Sequence, residues 1–175
     1  EGPCRFGQYA VLHKMVLERS GYGDTMIFSP SSVNSYMGMP GALRSYLWDI
    51  VIVSDMMMKA VCRVRPYELE RGSVDRRAEE LLAELEARIE RKEALIGAAA
   101  RAVPQIFSVP AAGAVKPLVG VVGEIYVRCN PFCNNSLIRV IEAAGGEAWL
   151  APISEWVLYT SWFENYVART TSRSV

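Results

Sequence analysis

The segment VGVVGEIYVRCNPFCNN, Val119 to Asn135, decides the fold of this 175-residue chain. It overlaps a short, valine-rich apolar run, Leu118 to Val122, which is typical of a central parallel strand with both faces covered by helices. A helix start follows, because Asn130 suits the N-cap, Pro131 suits the first helical position and Gly145 suits the end. The segment therefore predicts a strand that leads through a polar loop into a helix.

Two further apolar runs complete the predicted sheet. Ala148 to Leu150 follows the helix at once and ends at Pro152, so strand, helix and strand form a βαβ unit with a right-handed crossover. Residues 26–28 are predicted as another short strand. We therefore expect an α/β protein with a small parallel Rossmann-like sheet, flanked by helices and containing far more helix than strand.

Apolar periodicity predicts the helices around this sheet. The chain should be helical over residues 8–19 and should form one or two helices over residues 43–64. Residues 74–102 have the pattern of one long amphipathic helix. Aromatic residues recur at three- and four-residue steps over 156–166, and we expect them to pack against the body of the protein. Residues 56–58 are three methionines, which we expect to fill the core.

The predicted elements suggest a domain organisation. Residues 1–103 would form an α/β lobe that includes the long amphipathic helix, and residues 118–175 would form a βαβ lobe with an aromatic C-terminal helix. Residues 104–117, rich in Pro, Ala and Gly, would be the linker between the lobes. A single α/β domain over 1–175 is the alternative. We expect the chain to be a piece of a longer protein, because it begins within a motif.

Composition limits the classes of function. The 19 basic residues balance 19 acidic ones, which argues against a nucleic-acid footprint and against a polybasic membrane patch. The 4 cysteines are too few and too unevenly spaced for a secreted disulfide framework, so we expect a cytoplasmic protein. The sequence has no Walker A, GxGxxG, GxSxG or HExxH motif, and its single histidine argues against a Ser-His-Asp triad.

The loop after the valine-rich strand carries candidate substrate-binding residues. Glu124, Arg128 and Asn130 lie just past the carboxyl end of the strand, where ligands bind in open α/β proteins. A simple ion pair between Glu124 and Arg128 is the structural alternative. Cys133 would lie in the first turn of the next helix, which favours a thiolate. The alternative for Cys129 and Cys133 is that both are small, buried hydrophobic residues.

A second loop contributes to the same predicted site. Residues 29–41, SPSSVNSYMGMPG, follow the strand predicted at 26–28, and an irregular loop of this length is usually functional or mobile. Because this loop also leaves a strand at its carboxyl end, we expect it to line the same crevice as the first loop. Its serines Ser29, Ser31 and Ser32 are candidate substrate-binding residues.

Several segments together resemble one protein family. They are GPCRFGQY at residues 2–9, FSPSS at 28–32, RPYE at 65–68, VGEIYVRCNPFCNN at 122–135 and SEW at 154–156. This set is similar to the 2-hydroxyacyl-CoA dehydratase components and the CoA enzyme activase-related proteins. The resemblance spans almost the whole chain, and GEIYVR with NPF is its most specific part.

The resemblance implies iron–sulfur chemistry. Proteins of this family use iron–sulfur clusters, and an actin-like activator ATPase delivers a low-potential electron at the expense of ATP. That electron permits the reversible radical dehydration of a 2-hydroxyacyl-CoA to an enoyl-CoA. By resemblance, Cys4 is the candidate metal ligand of a 4Fe-4S cluster, whose other thiolates would lie outside this chain. The family has other residues at the positions of Cys129 and Cys133, which makes these two weaker ligand candidates.

Three hypotheses for function follow. The first is a piece of an iron–sulfur redox protein that handles an acyl-CoA-type molecule in its full-length assembly with the actin-like ATPase. The second is a non-catalytic interaction or regulatory domain, which docks the ATPase and binds a ligand without turnover. This second hypothesis predicts that the aromatic residues of 156–166 are partly exposed. The third is a fragment that is inert when separated from its parent protein.

Overall fold

The computed structural model describes residues 5–31 and 34–171. The chain is 64% helical, and the described strands form one two-stranded parallel sheet. The predicted helix-rich α/β class is confirmed at this level, and the Rossmann-like arrangement stays a prediction. The chain divides into two compact units, Glu1–Tyr46 and Leu47–Val175. Among the described helices, none combines the length and the apolar character needed to cross a membrane.

Within its described residues, the first unit contains one complete helix and two short turns of helix. A 3-10 turn, Arg5–Gln8, leads into α1, Tyr9–Arg19, and a second 3-10 turn spans Ser35–Gly38. The prediction of a strand at residues 26–28 is wrong, because this segment has no strand conformation. Its first and last side chains are 80% and 54% exposed, and no described strand pairs with it. A short apolar run without a neighbouring strand gains no ladder hydrogen bonds and stays irregular.

The second unit holds the sheet and most of the helices. In chain order its elements are α2 Gly41–Val64 (which begins in the first unit), a 3-10 turn Arg65–Tyr67, α3 Ser73–Glu90, α4 Ile96–Phe107, β1 Leu118–Val121, α5 Ile125–Cys129, α6 Leu137–Ala143, β2 Glu147–Leu150 and α7 Ile153–Thr171. The helices predicted at 8–19 and 43–64 are confirmed as α1 and α2. The linker predicted at 104–117 falls within this unit, and its first four residues form the end of α4.

β1 and β2 form the predicted parallel pair. Leu118 lies opposite Glu147, and Val121 lies opposite Leu150. Gly145 follows α6 with a φ of +89°, so the predicted glycine stop is confirmed. At the next residue, a Cβ on Gly146 would lie 2.9 Å from a side-chain carbon of Ile141, so only glycine lets α6 turn closely into β2. The strand–helix–strand unit is therefore present, and the hand of its crossover stays a prediction.

The prediction of one helix over residues 74–102 is wrong, because α3 and α4 form a helical hairpin. Glu93 shapes the turn between them: its backbone N–H donates to the carbonyl of Arg88 (2.9 Å), and its carboxylate accepts from Arg91 Nε (2.6 Å). Lys92 has a left-handed φ of +56°, which ends the helical run. The apolar stripe continues across the break because both helices bury the same kind of face, so periodicity alone did not reveal the turn.

The core of the second unit is made mostly by α2, α3 and α4. Its deeply buried apolar side chains include Met57, Cys62, Val74, Leu81, Leu95, Ala99 and Ile106. Burial raises the pKa of the Cys62 thiol to about 11, which keeps it protonated and unreactive. The prediction for the methionine run is confirmed for Met57, which is 3% exposed, and wrong for Met58, which is 40% exposed.

Glu147 anchors the sheet to the 3-10 turn after α2. This carboxylate is 2% exposed and accepts hydrogen bonds from the hydroxyl of Tyr67 (2.7 Å) and from the guanidinium of Arg63. The backbone N–H of Lys116 donates to the same tyrosine oxygen (3.1 Å). Burial raises the pKa of Glu147, but the two donors outweigh it and hold the pKa below its usual value. Its contribution to stability is therefore present at neutral pH and is lost as the pH falls through the lowered pKa.

The aromatic residues of α7 do not pack against the body of the protein, as we had expected them to. Trp156, Tyr159, Trp162, Phe163 and Tyr166 are each 47–59% exposed. The rings of the last four lie against one another along the helix instead, with 5.4 Å between the ring centres of Trp162 and Tyr166. A regular aromatic spacing predicts a common helix face but does not say what covers it. The partial exposure that the second hypothesis predicts is confirmed.

Candidate anion-binding site

A sharp turn joins β1 to α5. Gly123 has a φ of +130°, a backbone conformation that residues with side chains rarely adopt. The next residue, Glu124, is the N-cap of α5, and its Oε2 accepts a hydrogen bond from the backbone N–H of Val127 at 2.7 Å. This bond satisfies one of the free N–H groups at the helix start. Glu124 therefore holds the local backbone in place, and its predicted role in substrate binding stays a prediction.

Arg128 lies on the last turn of α5 and reaches back to the same turn. Its Nη1 donates to the carbonyl oxygen of Gly123 at 3.0 Å. Its Nε and Nη2 are buried, and within the described residues nothing accepts a hydrogen bond from them. A buried donor without an acceptor costs about 1–3 kcal/mol, and more when it is charged. Such a group in a folded protein calls for an explanation, and a role in binding an anion is one.

Asparagine side chains build the segment between α5 and α6. Asn130 Oδ1 accepts from the backbone N–H groups of Phe132 (3.0 Å) and Cys133 (3.3 Å). Asn134 Nδ2 donates to the carbonyls of Val127 and Arg128, both at 2.9 Å. The prediction that a helix starts at Asn130 and Pro131 is wrong for this reason, because the asparagines hold a turn where the helix was expected.

The end of this turn carries backbone strain. Asn135 and Ser136 both have left-handed backbones, with φ of 53° and 55°, and α6 begins directly after them at Leu137. Left-handed residues other than glycine are uncommon and are found often at ligand sites. The side chain of Asn134 supports the helix start, because its Oδ1 accepts from the backbone N–H of Leu137 at 3.1 Å.

A cavity of about 230 Å³, the arginine cavity, lies beside this turn. Three of its lining residues are arginines, Arg65, Arg128 and Arg139, and the described lining includes no carboxylate. Leu150, the last residue of β2, also lines it, so the cavity lies at the carboxyl end of that strand. Ligands of open α/β proteins bind at this end of the sheet. The donors and the charge suit an anion.

An ion cluster with a buried half, Arg65 and Glu142, and a more exposed half, Asp75 and Arg139, holds two of these arginines. Arg65 donates to Glu142 through Nε (2.9 Å) and Nη2 (2.8 Å) and to Asp75 through Nη1 (3.0 Å). Arg139 donates to the second oxygen of Asp75 at 2.8 Å. Burial raises the pKa of Asp75, but hydrogen bonds from Arg139 and Arg65 outweigh it and lower the pKa below its usual value. Asp75 is therefore ionised at neutral pH, and its hydrogen bonds hold Arg65 and Arg139 at the cavity.

The structure brings together only part of the predicted site. Arg128 lines the arginine cavity, while Glu124 and Asn130 shape the backbone that presents it. Ser29 and Ser31 belong to the first unit, where the side chain of Asn34 bonds the carbonyl of Ser29 and the N–H of Ser31, each at 2.8 Å. Their predicted role in substrate binding stays a prediction.

Two of the predicted residues lie outside the described part of the chain. Ser32 is one, and the candidate metal ligand Cys4 is the other. Among residues 5–31 and 34–171, no group of three or more His, Cys, Asp or Glu side chains converges as a metal site would require. The described residues therefore do not fit a 4Fe-4S cluster by themselves, and the assignment of Cys4 stays a prediction.

Cys129 and Cys133 are exposed, unpaired thiols. The alternative that both are small buried hydrophobic residues is therefore wrong. Cys133 lies in the turn before α6 and not in the first turn of a helix, so the helix start expected to favour its thiolate is missing. Cys129 lines the arginine cavity.

Sequence reasoning missed Arg65 and Arg139. Arg65 lies in the RPYE segment, which was informative only through the resemblance, and it is 77 residues away from its partner Glu142. Arg139 reads locally as one polar position on the helix of Leu137, Ile138 and Ile141. Only Arg65 could have been found from the sequence. It directly follows the end of a predicted apolar helix, and a charged residue that is buried there must have a partner of opposite charge.

Fold and cavity together define a helix-rich α/β chain with a cationic crevice at the carboxyl end of a short parallel sheet. Comparisons with models of known protein families, with curated proteins and with solved structures find no match.

Proposed function

We propose that this chain binds an anionic small molecule of the acyl-CoA type in the arginine cavity, as part of a larger iron–sulfur redox assembly. One observation carries the binding proposal: two buried nitrogens of Arg128 beside the cavity lack an acceptor within the described residues. We expect the guanidinium to turn toward an anion that enters the cavity. A planar guanidinium matches the oxygen spacing of phosphate and carboxylate groups and binds them through two parallel hydrogen bonds.

The CoA assignment rests on the resemblance and is compatible with the chemistry of the cavity. The phosphate groups of coenzyme A are strong acceptors, and Nε and Nη2 of Arg128 are the donors beside the arginine cavity that have no acceptor within the described residues. The test is a calorimetric titration of the chain with coenzyme A and with inorganic phosphate. Saturable binding of coenzyme A, weakened by salt, is the expected result. No heat of binding with coenzyme A at low salt would contradict the proposal.

The redox part of the proposal rests on the resemblance alone. In the full-length protein, Cys4 would contribute one thiolate to a 4Fe-4S cluster, which would supply the low-potential electron received from the actin-like activator ATPase. The buried thiol of Cys62 is unsuited to this role because burial holds its pKa at about 11. Iron and sulfide analysis of the full-length protein, purified without oxygen, is the test. An iron-free protein would end this part of the proposal and leave the anion site standing.

A second candidate function is a docking module for the activator ATPase, and the exposed aromatic face of α7 favours it. Tyr159 and Trp162 are each 59% exposed and Tyr166 is 53% exposed, and exposed aromatic clusters mark contact surfaces. Replacing all three by Ala in the full-length protein should abolish its co-purification with the ATPase. Phe107→Ala is the control, since Phe107 is equally exposed (55%) but lies on α4. Unchanged co-purification of the triple variant would refute the docking role.

A further inference from the structure

A second cavity, of about 400 Å³, adjoins the arginine cavity. The two share three lining residues, Met58, Arg65 and Arg139, so they lie side by side. The cluster of Arg65, Asp75 and Arg139 forms one end of the larger cavity. We name the larger space the tail cavity. Its ionic end borders the place where an anionic group would bind.

Away from that end, the tail cavity is formed mainly by apolar side chains. Met57 and Val61 contribute from α2, and Ala78 and Leu82 contribute from α3. Ser54 and Glu79 are the polar residues of this part of the lining. The hydroxyl of Ser54 donates to the carbonyl of Ile50 at 2.8 Å, so its donor is already used within α2. Such a lining favours hydrocarbon over water.

We infer that the tail cavity takes up the unbranched aliphatic chain of the ligand whose anionic group binds in the arginine cavity. This inference rests on the proposed function and deepens it, because it names the substrate class as a medium-chain acyl compound. The ionic end places the charged group and the apolar walls place the chain. In an acyl-CoA the pantetheine arm separates these two parts, and it would run along the boundary that the two cavities share. Met57 and Met58 suit this role, because flexible thioether side chains adapt to chains of different length.

The size of the tail cavity limits the length of the chain. An apolar cavity of roughly 150 Å³ takes up one six-carbon ring. By that measure the tail cavity, at about 400 Å³, would hold roughly 16 carbons if all of it were apolar, and because its ionic end is not apolar, we expect the chain to be shorter than that. Longer chains would extend into solvent and gain no further affinity.

The test is a calorimetric titration of the full chain with coenzyme A and with its butyryl, octanoyl, dodecanoyl and hexadecanoyl thioesters. Each fully buried methylene should tighten binding by about fourfold, so octanoyl-CoA should bind at least about tenfold more tightly than butyryl-CoA. The affinity should level off between the dodecanoyl and hexadecanoyl thioesters. Octanoate and dodecanoate form a second series, which reports on the chain without the CoA phosphates.

Substitutions at Leu82 test the binding of the acyl chain separately from the binding of the anionic group. Leu82→Trp fills part of the tail cavity with a large ring. Leu82→Asn keeps a similar side-chain shape and adds a polar group. Both variants should reduce the ratio of octanoyl-CoA affinity to butyryl-CoA affinity by about tenfold or more. Leu82 is 40% exposed, so neither change should unfold the chain. Ala83→Trp is the matched control, because it adds the same ring at the next, exposed position of α3, which is not in the cavity lining. The affinity for coenzyme A itself should not change in any of these variants.

The outcomes separate the two proposals. Equal affinity for butyryl-CoA and octanoyl-CoA would overturn the tail inference and leave CoA binding intact. Chain-length dependence that is unaffected by both Leu82 variants would also overturn it, because the chain would then bind elsewhere. Tighter binding of dodecanoate than of octanoate, without any binding of coenzyme A, would refute the CoA assignment and support the tail cavity. Absence of binding in both series would overturn both proposals.

Discussion

Replacing Arg65 with Met should lower the free energy of unfolding by about 3–5 kcal/mol, the range measured when one partner of a buried ion pair is removed. The Arg65 side chain is 9% exposed, and that of its partner Glu142 is 10% exposed. Burial lowers the pKa of Arg65, but hydrogen bonds to Glu142 and Asp75 outweigh it and raise the pKa. The variant would leave the Glu142 carboxylate buried without its main donor, and that desolvated charge is the source of the loss.

Arg76→Met is the matched control for this experiment. Arg76 also pairs with a glutamate, Glu70 at 2.8 Å, but the two side chains are 59% and 74% exposed. An exposed pair contributes about 0–1 kcal/mol, so this variant should be close to wild type. Urea unfolding followed by circular dichroism measures both. A loss below about 1 kcal/mol for Arg65→Met would mean that the cluster is more hydrated than the structure indicates.

The double variant Arg65→Met with Glu142→Leu tests the origin of the loss. It removes the stranded carboxylate together with its donor, and replacing a buried ion pair by apolar residues is often neutral. Asp75 keeps its bond from Arg139 at 2.8 Å. The double variant should therefore recover most of the stability that the single variant loses. A double variant as unstable as the sum of the two single ones would show that the arginine and the glutamate are not energetically coupled.

Local sequence signals were sufficient for the two paired strands β1 and β2 and insufficient for the helical hairpin. The valine-rich run at β1 and the glycine stop at Gly145 depend on a few neighbouring residues, and both were predicted. The break between α3 and α4 depends on side-chain bonds of Glu93 to Arg88 and Arg91, inside a stretch that is charged throughout. An amphipathic pattern that continues through a turn cannot reveal that turn.

The same distinction, between local signals and contacts far apart in the sequence, explains which residues of the candidate site could be predicted. Arg128 was predicted because the chain brings it past the carboxyl end of β1 within a few residues. Arg65 and Arg139 reach the same cavity only through tertiary contacts, on segments more than 70 residues apart. Their roles depend on Asp75 and Glu142, whose distance along the sequence hides the cluster. The asparagine turn at 130–136 was misread as a helix start, because Asn at an N-cap and Asn in a turn use the same side-chain acceptor.

Replacing Arg128 with Gln should weaken the binding of coenzyme A by about 10- to 150-fold, which corresponds to the loss of one charge-assisted hydrogen bond of about 1.5–3 kcal/mol. The expected effect on stability has the opposite sign. The variant removes two buried donors that lack acceptors in the described residues, so the unfolding free energy should stay the same or rise. Gln can still donate to the carbonyl of Gly123, the one bond that Arg128 Nη1 makes there.

These two measurements together distinguish a binding role for Arg128 from a structural one. An arginine that only held the turn in place would lose binding and stability in parallel, and the variant would unfold at lower urea concentration. An arginine kept for a ligand loses affinity alone, because the cost of its unpaired donors is offset only when the anion is bound. Arg76→Gln should change neither quantity, since that side chain is exposed on α3 and not in the cavity lining.

Coenzyme A should in turn raise the melting temperature of the wild type and not that of the Arg128→Gln chain. Equal ligand-induced stabilisation of both chains would place the anion elsewhere.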